Sequence, residues 1–262
     1  MLIGDRIAGA VFGGAGDVGD PLAIEAMGTV FTYHLTGPCD RTEAIQRVAT
    51  ELERIEGRFS PFRAESELTR LNRGRVGAIS VEMEEIIWLC ERAKEATFGY
   101  FDPWGGAAGF DPSGLVKGYA VEKTLELLLS MGFEEVVANG GGDIALSTAA
   151  REPVGIRHPF LGDSLCAVVL CDTAVASSGL YERGMHIYNP FGAGLGAVAA
   201  TVVGSPLWLG DAMATALVAA GPRLLTALGV GFEGFVVDSS GEMTFTRKFP
   251  FAAGVDGKAG GA

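Results

Sequence analysis

The chain has 262 residues, 48% of them hydrophobic and 20% charged, enough for an ordered core in one large domain or two small ones. Its formal net charge of −12, with no concentrated patch of Lys and Arg, excludes a nucleic-acid backbone as partner. No apolar run reaches the about 18 residues of a membrane helix, and Met1-Leu-Ile-Gly-Asp-Arg6 lacks the layout of a secretory signal, so a cytoplasmic protein without membrane insertion is expected.

Residues 1–20 are Gly-rich and read as a flexible arm. Gly14-x-Gly16-x-x-Gly19 matches a dinucleotide fingerprint by letters, but Pro21 follows and no strand–turn–helix unit frames it. Residues 28–35 alternate apolar and polar, as a half-buried strand does. Asp40 then caps a helix, with Glu43 three positions on and Ile45, Val48, Leu52 and Ile55 toward the core. Ser80 caps a second helix through about Lys94, whose buried stripe is Met83, Ile86, Ile87 and Cys90. A third amphipathic segment runs from Asp111 until Gly132 ends it.

Strands follow at 135–139 and 144–146, separated by Gly140-Gly-Gly-Asp143. Three glycines there leave backbone amides bare to a close neighbour. Further strands are expected at 165–170, 197–203, 234–237 and 242–246, with a helix from about Leu209 to Ala220. Helices and strands mix without a βαβ rhythm, which argues for an α+β fold. One domain over 21–250 and a flexible tail over 251–262 complete the organisation. Cys39, Cys90, Cys166 and Cys171 show no CxxC pairing and read as free thiols.

Polar residues that a core does not ask for mark the candidate site. Asp111-Pro-Ser-Gly-Leu-Val-Lys117 sets a carboxylate, a hydroxyl and a lysine at a helix start, where free amides and the dipole suit a phosphate. Gly99-Tyr-Phe-Asp-Pro-Trp104 is an aromatic turn suited to a flat ring. Asp211 and Thr215, spaced i and i+4, share one helix face, and oxygen ligands so arranged suit Mg²⁺. His186 lies in a polar, irregular stretch, with no Cys or second His at zinc spacing. No Gly-x-Ser-x-Gly elbow is present.

Taken in order, these segments resemble the ApbE family of FAD:protein FMN transferases. The matching stretches are Ala26-Met-Gly-Thr29, Phe59-Ser60 with Ser66-Glu-Leu-Thr-Arg-Leu-Asn72, Gly99-Tyr-Phe-Asp-Pro103 and Asp111 through Ala120. Asn139-Gly-Gly-Gly-Asp-Ile144, Ala176-Ser-Ser-Gly179, His186-Ile-Tyr-Asn-Pro190 and Asp211-Ala-Met-Ala-Thr215 complete the series.

The resemblance implies a T-fold-like α+β architecture of mixed sheets with packed helices, in two lobes around an FAD cleft. It further implies Mg²⁺-dependent (or Mn²⁺-dependent) transfer of FMN from FAD to a Ser or Thr hydroxyl of an acceptor protein, with AMP released. The same sites in a hydrolytic variant would yield FMN and AMP, and without chemistry would only bind FAD. By the resemblance Gly114 (through its carbonyl), Asp211 and Thr215 hold the metal. Met27, Tyr100, Phe101, Asp102, Asp111, Ser113 and Lys117 line the cofactor, and His186 accepts the proton of the incoming hydroxyl. The chain departs from the family pattern at Asn189, where an aspartate is usual, at Phe62, where a tyrosine is common, and in a shortened 103–110 stretch.

Overall fold

The computed structural model describes residues 20–75, 77–106, 109–162, 164–180, 187–192 and 194–252. The expected N-terminal arm (save Asp20), His186 and the tail beyond 252 lie outside the described residues.

A hairpin opens the fold: β1 (Leu22–Ala26) and β2 (Thr29–Thr36) pair antiparallel, with Ala26 opposite Thr29. The two-residue link is Met27-Gly28, both at positive φ (52° and 72°). That geometry matches the twist of the flanking strands, yet an L-residue with a long side chain enters it only at a cost. β1 went unread in the sequence because Leu22, Ile24 and Ala26 alternate with too few bulky residues to mark a strand.

Asp40 caps α1 (Arg41–Phe59), accepting from the amides of Thr42 and Glu43, and Ala44, Val48, Leu52, Ile55 and Phe59 are buried. Ser66 caps the short α2 (Glu67–Asn72) and Ser80 caps α3 (Val81–Ala96). The Glu67 carboxylate in turn accepts from the Ser80 amide at 2.6 Å and its hydroxyl at 2.8 Å, tying the two helix starts together.

After α4 (Ser113–Ser130) the chain lays down β3 (Glu135–Gly140) and β4 (Asp143–Ser147), then β5 (Glu152–Arg157), β6 (Leu165–Cys171), β7 (Ala174–Gly179) and β8 (Ala199–Val203). α5 (Leu207–Ala220), a 3₁₀ turn (Pro222–Ala227), β9 (Glu233–Val237) and β10 (Met243–Phe245) follow. Eight strands form one antiparallel sheet in the order β1-β2-β3-β4-β7-β8-β9-β10, and β5 pairs with β6 apart from it. The α+β class expected from the sequence is what the chain adopts.

Alternation along the strands divides the core between the two faces. Val136, Ala138, Ala145 and Val236 face the helical side, in one cluster with α1, α3, α4 and α5. Val137, Ile144, Leu146, Phe235 and Val237 face the other way, where the β5–β6 hairpin, Phe249 and Phe251 cover them. Chain pairing continues past β10, with the Ala252 amide donating to the Val168 carbonyl at 2.8 Å. Among the described residues no cysteine is disulfide-bonded, and no helix is long and apolar enough to cross a membrane.

α4 and α5 are the pair on which the site is built. α5 begins at Leu207, two residues before the sequence suggested, and Pro206 at its N-cap has no side-chain hydrogen bond to offer. The cap comes from α4 instead: Glu122 accepts from the amides of Leu207 (2.5 Å) and Trp208 (3.3 Å). Its own burial raises the Glu122 pKa, and the two amides hold it back. The helices approach closely because Gly118 lacks a side chain. A Cβ there would stand 2.8 Å from the Leu207 carbonyl oxygen and 3.1 Å from the Asp211 Cβ.

Gly118→Ala therefore tests this contact. Alanine gains about 1 kcal/mol in helix propensity, but overpacking against backbone costs about 1–3 kcal/mol. The net expectation is a lower urea midpoint with an unchanged m-value. A midpoint at or above that of the unmodified chain would mean that the two helices do not need this proximity.

Candidate active site

The first turn of α4 is irregular in a way its residues explain. Pro112 at the N-cap makes no side-chain hydrogen bond. Asp111 accepts instead from the Ser113 amide at 3.0 Å and the Ser113 hydroxyl at 2.5 Å, shaping the entry as an Asx turn. Gly114 then leaves helical geometry (φ −81°, ψ 18°). A Cβ on Gly114 would lie 3.1 Å from Thr215 Oγ1 and 3.2 Å from Phe101 Cε2, so three segments converge there with room for backbone alone.

Asp211 sits in the second turn of α5, only 1% exposed, with Oδ2 accepting from the Gly118 amide at 3.0 Å. In a regular helix that amide addresses the carbonyl of Gly114. With the helix expected from about Leu209, Asp211 stood near its start. The earlier start of α5 and this buried bond make it part of the packing as well. One turn on, Thr215 Oγ1 lies 3.1 Å from Ser178 Oγ on β7. Ser177 Oγ lies 3.0 Å from Thr201 Oγ1 on β8.

Asp143 is the residue that sequence reasoning passed over. It starts β4, immediately after Gly141 and Gly142, whose positive φ values (62° and 95°) only glycine adopts without strain. The carboxylate is fully buried. Oδ1 accepts from the Ser177 amide at 3.3 Å, and Oδ2 lies 2.8 Å from Lys117 Nζ. Among the described residues Oδ2 receives no hydrogen bond beyond that ion pair. Burial, and then the nearby charge of Asp211, push the Asp143 pKa well up, while the Lys117 ammonium opposes both. The signal for Asp143 was available as an acid closing a triple-glycine turn. Ser178 belongs to the Ala176-Ser-Ser-Gly179 stretch that the sequence already singled out.

The expected metal set therefore meets in part at one place: Thr215 lies against Gly114, and Asp211 is bound to the next turn of the same helix. Its donors are a carbonyl, a carboxylate and a hydroxyl, which suit a hard cation such as Mg²⁺. Among the described residues no three His, Cys, Asp or Glu side chains gather as a metal cluster. Two buried carboxylates among the described residues stand near the Lys117 ammonium, and a divalent cation would favour their charged forms. The residues fit the ion.

Around this centre the other expected residues divide. Lys117 is 14% exposed and faces Asp143. Phe101 is buried beneath the Gly114 bend. Met27 tips a hairpin beside the glycine turn, since a Cβ on Gly141 would meet Thr29 Oγ1 at 2.7 Å. A recess of about 420 Å³ runs along residues 25–30 and Glu56. Tyr100 packs edge-on to Phe191 (4.8 Å between centroids), with the Arg223 guanidinium 5.1 Å from its ring. The Asp102 carboxylate is engaged locally, by Lys94 at 2.8 Å and the Trp104 amide at 3.1 Å. His186 lies outside the described residues.

Asn189 has its own occupation. Its Nδ2 donates to the carbonyls of Gly194 (3.1 Å) and Ala219 (3.2 Å), and its Oδ1 accepts from the Phe191 amide at 3.0 Å. The amide pins the loop after His186 to the C-terminal end of α5.

The ApbE family model matches residues 27–109 and 105–229. The flavin transferase ApbE of Vibrio cholerae has a similar structure (TM-score 0.74, 19% identity), covering 87% of this chain and 96% of its own. The ApbE protein of Thermotoga maritima superposes with a TM-score of 0.76 at 20% identity, over 87% of this chain and 97% of its own. The apo flavinyl transferase ApbE of Pseudomonas stutzeri gives 0.72 at 19%, over 87% and 94%. No curated protein matches by sequence. With its family pattern spread over most of the described fold, and the same architecture in those structures, the chain belongs to the ApbE family.

Proposed function

We propose that this protein transfers the FMN moiety of FAD to a Ser or Thr hydroxyl of an acceptor protein and releases AMP, with Mg²⁺ (or Mn²⁺) as cofactor. The observation that carries the reading is the junction of α4 and α5. There an oxygen donor set (Gly114, Asp211, Thr215) adjoins a lysine held by a buried acid, at a helix start suited to phosphate. Family membership supplies the substrate class.

The acceptor oxygen forms a bond to the FMN phosphorus, and the phosphorus–oxygen bond to AMP breaks. AMP leaves with the bridging oxygen, and the hydroxyl proton passes to His186 in this reading. When bound, the metal ion neutralises charge on the pyrophosphate oxygens. This chain's residues bind and orient. Lys117 supplies a point charge, and Asp111 shapes the turn that presents the Ser113 end of α4. Met27, Tyr100 and Phe101 offer apolar and aromatic surface to the flavin. Water is kept from the carboxylates by their burial, which strengthens every charge contact there.

Incubation of the protein with FAD, Mg²⁺ and a Ser/Thr acceptor peptide, followed by mass spectrometry, is expected to give FMN on the peptide and AMP in solution. FMN and AMP without labelled peptide would replace transfer by hydrolysis. FAD left intact would overturn the reading.

Two substitutions separate chemistry from packing at Asp211. Asp211→Asn keeps an acceptor for the Gly118 amide, so its melting temperature should stay close to that of the unmodified chain while turnover falls about a hundredfold or more. Asp211→Ala should also lose about 1–3 kcal/mol of stability, because the Gly118 amide is left buried without a partner. Full turnover in Asp211→Asn would remove this carboxylate from the metal site.

A further inference from the structure

Asp143 has no part in the reaction as set out above, yet its surroundings are unusual for a merely structural acid. It is fully buried, its backbone is fixed by pairing with Gly140 across the glycine turn, and Oδ1 is held by the Ser177 amide. Its other oxygen, Oδ2, meets the ammonium of Lys117 at 2.8 Å. Lys117 precedes Gly118, whose amide is bound by Asp211. The two carboxylates therefore grip adjacent residues of one helical turn, Asp211 through the backbone and Asp143 through the side chain.

The charge of Asp211 reaches Asp143, so the ammonium that Asp143 binds has a second carboxylate near it. Pairing with Asp211 would set the ammonium against any divalent cation sharing that carboxylate. We propose that Asp143 is a positioning residue: it holds the Lys117 ammonium away from Asp211 and presets it toward the pyrophosphate of FAD. The inference rests on the reading of this site as an FAD site. Its physical content is preorganisation. A long, flexible side chain fixed before the anion arrives loses less freedom on binding, and a compact ammonium acts by where it stands. Asp143 makes no contact with substrate in this role and acts only through Lys117.

The dependence on Lys117 is what a double-mutant cycle reads. FAD binding to the full chain is measured by calorimetry in EDTA for the unmodified protein, Asp143→Asn, Lys117→Met and the double variant, with melting curves to verify folding. Asp143→Asn keeps an acceptor for the Ser177 amide and removes the charge. It is expected to weaken FAD binding about tenfold in the unmodified background, the scale of one charge-assisted hydrogen bond, and about twofold or less when Lys117 is already Met.

An equal loss in both backgrounds, or no loss in either, would overturn the proposal, because Asp143 would then act on folding or not at all. If Asp143→Asn does not fold, the same cycle with Asp143→Ser, a smaller residue that cannot clash, decides between the same outcomes. Failure of the unmodified protein to bind FAD would overturn the functional reading and this inference together. Binding with additive losses would overturn this inference alone.

Discussion

The hydrogen bond from the Gly118 amide to the Asp211 carboxylate is the contact on which the rest of the site depends. It is made between the two helices that carry the candidate metal donors, and it exists because Gly118 lets α5 come close enough for a side chain of one helix to serve the backbone of the other. It gives a buried carboxylate a donor without neutralising its charge. The same helix surfaces are locked a turn further on by Glu122, which caps α5 from α4. A reciprocal arrangement results: each helix satisfies an amide of its neighbour. Sliding one against the other would leave a buried donor or acceptor unmatched, at a cost of about 1–3 kcal/mol each.

The sheet explains why this junction sits where it does. β4 and β7 are neighbours although β5 and β6 intervene in the chain, and that neighbourhood brings Asp143 to the Ser177 amide and Ser178 to Thr215. The β5–β6 excursion folds onto the opposite face, where it covers Ile144, Leu146 and Val175. One face of the sheet is thereby sealed with apolar side chains. The ends of β4 and β7 can carry polar groups toward the helices without those groups meeting the second core.

What the sequence disclosed follows from how local each signal is. Two helices of the first half announced themselves through their caps: Asp40 and Ser80 bond amides only two or three residues away, whereas the short α2, capped by Ser66, was not read. The i, i+4 spacing of Asp211 and Thr215 and the glycine turn before Asp143 were equally visible, since each is written in consecutive residues. The start of α5 was misjudged because its cap is Glu122, distant in sequence and brought close only by packing. Asp143 was passed over for the same reason. Its partners Lys117 and Ser177 come from opposite sides along the chain, and nothing in Gly-Gly-Asp tells which charge it will face. The Gly114 bend was hidden too, since it answers to Thr215 and Phe101 and not to its neighbours in α4.

The departures from the family pattern make sense in the same terms. An aspartate at position 189 would turn carboxylate oxygens toward the carbonyls of Gly194 and Ala219, where the asparagine offers a donor. The amide thus belongs to the bracing of its loop, and the residue type follows from which groups that loop presents. The shortened 103–110 stretch is braced as well. Asn72 accepts from the Phe110 amide at 3.0 Å and donates to its carbonyl at 2.8 Å, while the Tyr188 hydroxyl donates to the Asp102 carbonyl. A short loop held at both ends delivers Asp111 to the head of α4 in one orientation. The geometry of that helix start is thus braced by the protein's own hydrogen bonds. Stiffness at the rim and reciprocal bonding at the centre have the same effect: both fix where the charged groups stand.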